Sequence, residues 1–95
     1  MKVLICDDER ELRALIGFAL RQAGYLVIEA PDGERALELV KSEQPNLVIL
    51  DINLPGMDGF EVCRRVRGLS QAPVMMLSVR AGEDDQVQGL DVGAD

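Results

Sequence analysis

The sequence predicts an α/β protein with a doubly wound parallel sheet, and three observations carry that expectation. Short apolar runs at Lys2 to Cys6, Leu26 to Glu29, Leu47 to Leu50 and Val74 to Leu77 alternate with segments of helical period, the pattern of repeated β-α units. Aromatic residues make up 3% of the chain and Trp is absent, so the core must be aliphatic, as layered α/β proteins allow. At 95 residues there is room for one small domain, and right-handed crossovers then put helices on both faces of its sheet.

The elements follow in order. The first strand, "KVLIC", is apolar after its opening Lys and carries no polar alternation, which suits a central strand covered on both sides. In the first helix Leu12, Leu15, Ile16, Ala19, Leu20 and Ala23 fall at i, i+3, i+4, i+7, i+8 and i+11, and Gly24 follows as a stop. Glu9 serves its start. The second strand, within "YLVIEA", contains Glu29 and reads as an edge. Asp32 can cap the second helix, whose apolar stripe is Ala36, Leu37 and Val40, with Pro45 beyond its end. The third strand, "LVIL", is another central one. Asp58 can cap the third helix, with Glu61 three residues on in capping-box spacing and Phe60, Cys63 and Val66 facing inward. The fourth strand, "VMML", leads to a fourth helix opening on Glu83, Asp84 and Asp85, where acids suit the positive end of the dipole. Val87 and Leu90 are its only strong anchors and Gly89 costs it about 1 kcal/mol, so it is the most loosely held helix.

Bulk properties narrow the function. A net charge of −7 argues against holding a nucleic-acid backbone, which needs surplus Lys and Arg. The chain has no His, which excludes imidazole catalysis and His-based metal sites. Cys6 and Cys63 read as small buried hydrophobes, and without a leader peptide or a run of about 20 apolar residues the chain reads as a reduced cytoplasmic protein without a membrane segment.

In open parallel sheets ligands bind at the carboxyl ends of the strands. Asp7 and Asp8 directly follow strand one, Asp51 directly follows strand three and Ser78 directly follows strand four. If strands one and three are neighbours, three carboxylates crowd one cavity, which is unfavourable unless a cation is bound. Carboxylates, a backbone carbonyl and retained waters suit Mg²⁺, which commonly works beside a phosphoryl group, and a carboxylate can accept that group as an aspartyl-phosphate. Any one of these acids alone would be an ordinary loop carboxylate.

"CDDE" after strand one, "ILDINLPGMDG" after strand three and "PVMMLS" ending strand four together resemble the receiver domains of two-component response regulators. The resemblance runs over residues 1–95, about the first four-fifths of such a domain. It implies a flavodoxin-like sheet whose visible strand order is 2-1-3-4. It implies that Asp51 is the phosphoacceptor, that Asp8 ligates Mg²⁺ directly and Asp7 directly or through water, and that Asn53 contributes its backbone carbonyl. Ser78 matches the hydroxyl residue that turns toward the phosphoryl group, and Pro55 and Gly56 match the turn after the acceptor.

The donor implied is a phosphohistidine on a sensor histidine kinase, which supplies the His this chain lacks. Such a domain is a signalling phosphoacceptor rather than an enzyme, catalysing at most its own phosphorylation and dephosphorylation. The style of the helices resembles receivers joined to winged-helix domains, which implies transcription regulation and DNA contact through an output domain rather than through this chain.

The match departs from the pattern in two places. "VGAD" ends the sequence before the fifth strand with its Lys, the aromatic switch residue and the fifth helix, and Val79 stands where a small residue is common. The domain is therefore expected to be C-terminally incomplete, with strand four exposed as an edge through which two copies could pair. The alternative function is a phosphorylation-independent interaction or dimerisation module that cannot switch without that Lys. A small nucleotide binder is disfavoured, because Asp7, Asp8 and Glu9 stand where a glycine-rich phosphate loop would be.

Overall fold

In a computed structural model, which describes residues 1–77, the elements run β1 (Lys2–Cys6), α1 (Arg10–Gln22), β2 (Leu26–Ala30), α2 (Gly33–Glu43), β3 (Leu47–Asp51), α3 (Gly59–Leu69) and β4 (Val74–Leu77). The four strands form one parallel sheet of order β2-β1-β3-β4. This is the architecture expected, with β2 at an edge and the order reversing between β1 and β3. Ser78, Val79 and the fourth helix lie outside the described residues.

Side-chain alternation along the strands divides the core in two. Leu4, Cys6, Val48, Leu50, Val74 and Met76 point to one face, where Ala36, Leu39 and Val40 of α2 and Val62, Cys63 and Val66 of α3 cover them. Val3, Ile5 and Ile49 point to the other, under Ile16 and Leu20 of α1. Every large side chain in both layers is aliphatic or sulfur-bearing, and the interior needs no aromatic ring.

The helix starts follow from capping chemistry. Asp32 accepts the Arg35 N–H at 2.8 Å and Asp58 accepts the Glu61 N–H at 2.8 Å, each satisfying one of the donors a helix leaves open. The capping box is only half present: the Glu61 carboxylate is taken by Arg64 and Arg65. The hydrogen bond from Arg65 chiefly holds the Glu61 carboxyl below its ordinary range.

Three sequence expectations need correction. The inward line of α1 is Leu12, Arg13, Ile16, Gly17 and Leu20, so Leu15, Ala19 and Ala23 of the expected stripe are exposed. The helix is turned toward Gly17, whose missing side chain lets it lie close over Val27 and Glu29 of β2. On α3, Phe60 is 59% exposed, because the buried line starts at Gly59 and continues through Val62, Cys63 and Val66. Asp51 does not follow β3 but is its last residue, in register with Leu77.

Candidate phosphoacceptor and metal site

Register brings the acids together. Cys6 lies beside Leu50 across the β1–β3 ladder, so the next step sets Asp7 beside Asp51, at the roughly 4.8 Å spacing of adjacent strands. Alternation sends both side chains toward the α1 face, after Ile5 and Ile49. Both are buried, at 2% and 1% exposure, while Asp8 is exposed. One carboxylate oxygen from each of Asp7, Asp8 and Asp51 lies within 4.8 Å of the others.

The two buried carboxylates are set by the same local device. Asp7 Oδ1 accepts the N–H of Glu9 at 2.8 Å, and Asp51 Oδ1 accepts the N–H of Asn53 at 3.2 Å. Each is an Asx-type turn, in which a short acid bonds the backbone two residues on and so aims its other oxygen. The cost of the exposed Asp8 is small, since water reaches it.

The loop after Asp51 needs glycine twice. Gly56 has φ of 81°, and it centres a three-residue turn closed by the Met57 N–H on the Pro55 carbonyl at 2.9 Å. Gly59 donates its N–H to the Ile52 carbonyl at 2.8 Å, and a Cβ there would stand 2.4 Å from the Asp51 carbonyl oxygen and 2.7 Å from the Ile52 Cα. The start of α3 therefore rests directly on the backbone that carries Asp51. An open cleft of about 410 Å³ lies alongside, lined by Asp32, Gly33 and Glu34 of α2 and Pro55, Gly56 and Met57 of the loop.

Cys6 belongs to the surroundings of the site and not to its chemistry. Its Sγ–H points at the Asp32 carbonyl, 3.3 Å away. Burial pushes its thiol up to about 12, and the charges of Asp32, Asp7 and Asp51 push the same way. The thiol therefore stays neutral at physiological pH and a poor nucleophile. Because the folded value lies above the ordinary 9.0, stability that depends on the neutral thiol is complete below about pH 9 and is lost as pH rises toward 12. Melting temperatures measured upward from about pH 9 should fall in the wild type, and Cys6→Ala should flatten that slope.

Three acids with oxygens this close form a hard, all-oxygen donor set of the kind Mg²⁺ takes, and the set fits a divalent cation by charge as well as by type. Asp7, Asp8 and Asp51 are thus brought together as the sequence suggested. Asn53 is present in the same loop with its N–H on Asp51, and Ser78 lies outside the described residues.

One contributor escaped the sequence reading. Arg13 of α1 donates from Nη1 to the Asp7 carbonyl at 2.7 Å and from Nε to Glu29 Oε1 at 3.1 Å. The available signal was a pair of Arg residues, Arg13 and Arg21, eight apart on a helix preceding the only acid of β2.

The chain matches the response regulator receiver domain over residues 3–95. The Vibrio cholerae chemotaxis protein CheY4 is 34% identical with a TM-score of 0.80, covering 97% of this chain and 79% of its own. The Klebsiella pneumoniae RstA receiver domain, solved BeF3-activated, is 35% identical with a TM-score of 0.81, covering 98% of this chain and 80% of its own. The receiver domain of the hybrid histidine kinase CckA is 36% identical with a TM-score of 0.79, covering 86% of this chain and 79% of its own. Another similar structure, a fusion carrying a yeast Spc42 coiled-coil segment, has 61% of its chain spanned by this one. A parallel sheet of order 2-1-3-4, three acids at the ends of its two middle strands and a match over residues 3–95 agree: this chain belongs to the response regulator receiver domain family.

Proposed function

We propose that Asp51 is the residue that accepts the phosphoryl group, with a Mg²⁺ site formed by Asp7, Asp8 and Asp51 and completed by the backbone carbonyl of Asn53. The observation that carries this reading is the convergence of three carboxylate oxygens within 4.8 Å at the ends of β1 and β3. When bound, Mg²⁺ supplies positive charge that shields the incoming phosphoryl oxygens from these acids.

The remaining work falls to the chain. Asp51 is held at a strand end, so its attacking oxygen has little freedom to lose on reaction. The Asn53 N–H holds Oδ1 and so orients the carboxylate, one oxygen of which attacks phosphorus in line. One O–P bond forms as the P–N bond of the donor phosphohistidine breaks, and the electron pair of that bond leaves with the imidazole, which takes a proton. Ser78 is assigned the phosphoryl contact that follows.

The donor is proposed to be a sensor histidine kinase in the cytoplasm, and the output to be transcription regulation by the parent protein through a separate DNA-binding domain. Support for the kinase comes from family membership. Among the described residues, no helix is long and apolar enough to cross a membrane.

Incubation with Mg²⁺ and a small acyl phosphate, followed by intact mass, tests the reading. The expected result is a gain of one phosphate that disappears when a chelator replaces Mg²⁺. Mg²⁺ binding without phosphate uptake would instead favour an interaction module, and absence of binding by any divalent cation would remove the site.

A further inference from the structure

The loop Asp7-Asp8-Glu9 has to present two acids in one orientation, and it is held in part by bonds from outside the loop. Arg13 lies three residues beyond the start of α1, with a side chain only 15% exposed, and its guanidinium points in two directions at once. Nη1 donates to the Asp7 carbonyl at 2.7 Å, while Nε donates to Glu29 Oε1 at 3.1 Å. That carbonyl belongs to the peptide joining Asp7 to Asp8, so holding it fixes the plane from which Asp8 projects.

Glu29 is anchored in turn. Its other oxygen takes Arg21 Nη2 at 3.3 Å, and Arg21 also reaches the Val27 carbonyl at 3.4 Å. A Cβ at position 17 would lie 3.2 Å from Glu29 Oε2 and 3.3 Å from Arg21 Nη1, so Gly17 leaves the room in which this charged cluster packs beneath α1. Arg21 is half exposed, but the Arg13 side of the Arg-Glu-Arg cluster is covered, each bond is charge-assisted and the carboxylate has both oxygens engaged, which holds Glu29 in place for Arg13.

We propose that Arg13 is a positioning residue for the acidic site: anchored by Glu29, it clamps the Asp7 carbonyl and thereby orients the Asp7–Asp8 peptide so that Asp8 meets Asp7 and Asp51. The proposal rests on the reading of these acids as a metal site, and it adds a control on that site from the sheet edge at β2. A planar fork is required. Lys, a single point charge on a flexible stem, can reach the carbonyl or Glu29 but cannot bracket both.

Mg²⁺ affinity by calorimetry, together with amide exchange in the metal-free protein, tests this with Arg13→Ala, Arg13→Lys and Glu29→Gln, all at a temperature where each variant is folded. Groups that orient ligands typically change metal affinity by about 10- to 100-fold. Arg13→Ala and Arg13→Lys should each bind Mg²⁺ about tenfold more weakly. Both should also speed exchange of the Asp8 and Glu9 amides without changing that of Ile5 or Ile49 in the neighbouring strands. Glu29→Gln should shift both readouts in the same direction and by less. Unchanged affinity with unchanged loop exchange would overturn the proposal, as would full rescue by Arg13→Lys. If the wild type binds no Mg²⁺, the metal reading fails separately, and loop exchange alone decides: faster exchange in Arg13→Ala supports the clamp, and unchanged exchange rejects it.

Discussion

Asp51→Asn is expected to abolish phosphate uptake completely while leaving the fold intact. The Asn side chain keeps an oxygen to accept the Asn53 N–H, so the turn after β3 persists. It has no second carboxylate oxygen with which to attack phosphorus. Removing one charge from three crowded acids also relieves repulsion in the metal-free protein, so its melting temperature should stay level or rise. Asp8→Asn should behave differently, lowering Mg²⁺ affinity and slowing uptake without removing the acceptor. Parallel thermal melts, Mg²⁺ titrations and intact masses of the two variants separate acceptor from ligand. Residual uptake by Asp51→Asn would move the acceptor elsewhere.

Gly59→Ala is expected to damage stability and function together. The three atoms nearest the added Cβ are all backbone, with the Asp51 carbonyl oxygen 2.4 Å and the Ile52 Cα 2.7 Å away, and backbone cannot rotate aside as a side-chain end could. Either α3 lifts off the loop, losing the bond from the Gly59 N–H to Ile52, or the Asp51–Ile52 peptide shifts and carries the acceptor with it. Overpacking of this kind costs about 1–3 kcal/mol. Gly68→Ala in the same helix is the control, because a Cβ there meets nothing within 4 Å. Replacing a helical Gly at such a site should stabilise by about 0.5–1 kcal/mol. Chemical denaturation of both variants, with the phosphate-uptake rate of each, checks the pair: uptake falls in Gly59→Ala and holds in Gly68→Ala.

The sequence foretold the sheet because its strands depend on short-range pattern, and runs such as "VLIC" and "LVIL" read as buried strands when they alternate with segments of helical period. Caps were equally local: Asp32 and Asp58 each bond an amide three residues on, and both perform as read. The acid cluster was legible because parallel strands end together, so residues that terminate β1 and β3 must meet at one edge. Helix faces were less so. For α1 the apolar residues trace a stripe that includes Leu15, yet the helix turns instead to bury Gly17 and half-bury Arg13, because close approach to β2 and the pairing with Glu29 outweigh one more buried Leu. Phe60 sits beside the inward line of α3 for a similar reason, since Gly59 has to touch the β3 backbone and that fixes the rotation of the helix. Arg13 left only a faint trace in the sequence, its spacing from Arg21, because its partners lie 6 and 16 residues away on two different strands or their ends.

Asp51 is proposed as the acceptor within a metal-dependent acidic site. Borohydride reduction of the protein after reaction with an acyl phosphate and Mg²⁺, followed by proteolysis and peptide sequencing by mass spectrometry, tests it most directly, since a carboxyl phosphate is reduced to the alcohol and marks its own position. The predicted result is homoserine at position 51 only when Mg²⁺ is present. A mark at another residue would place the acceptor elsewhere, and the same mark formed in the presence of a chelator would remove the metal from the reaction.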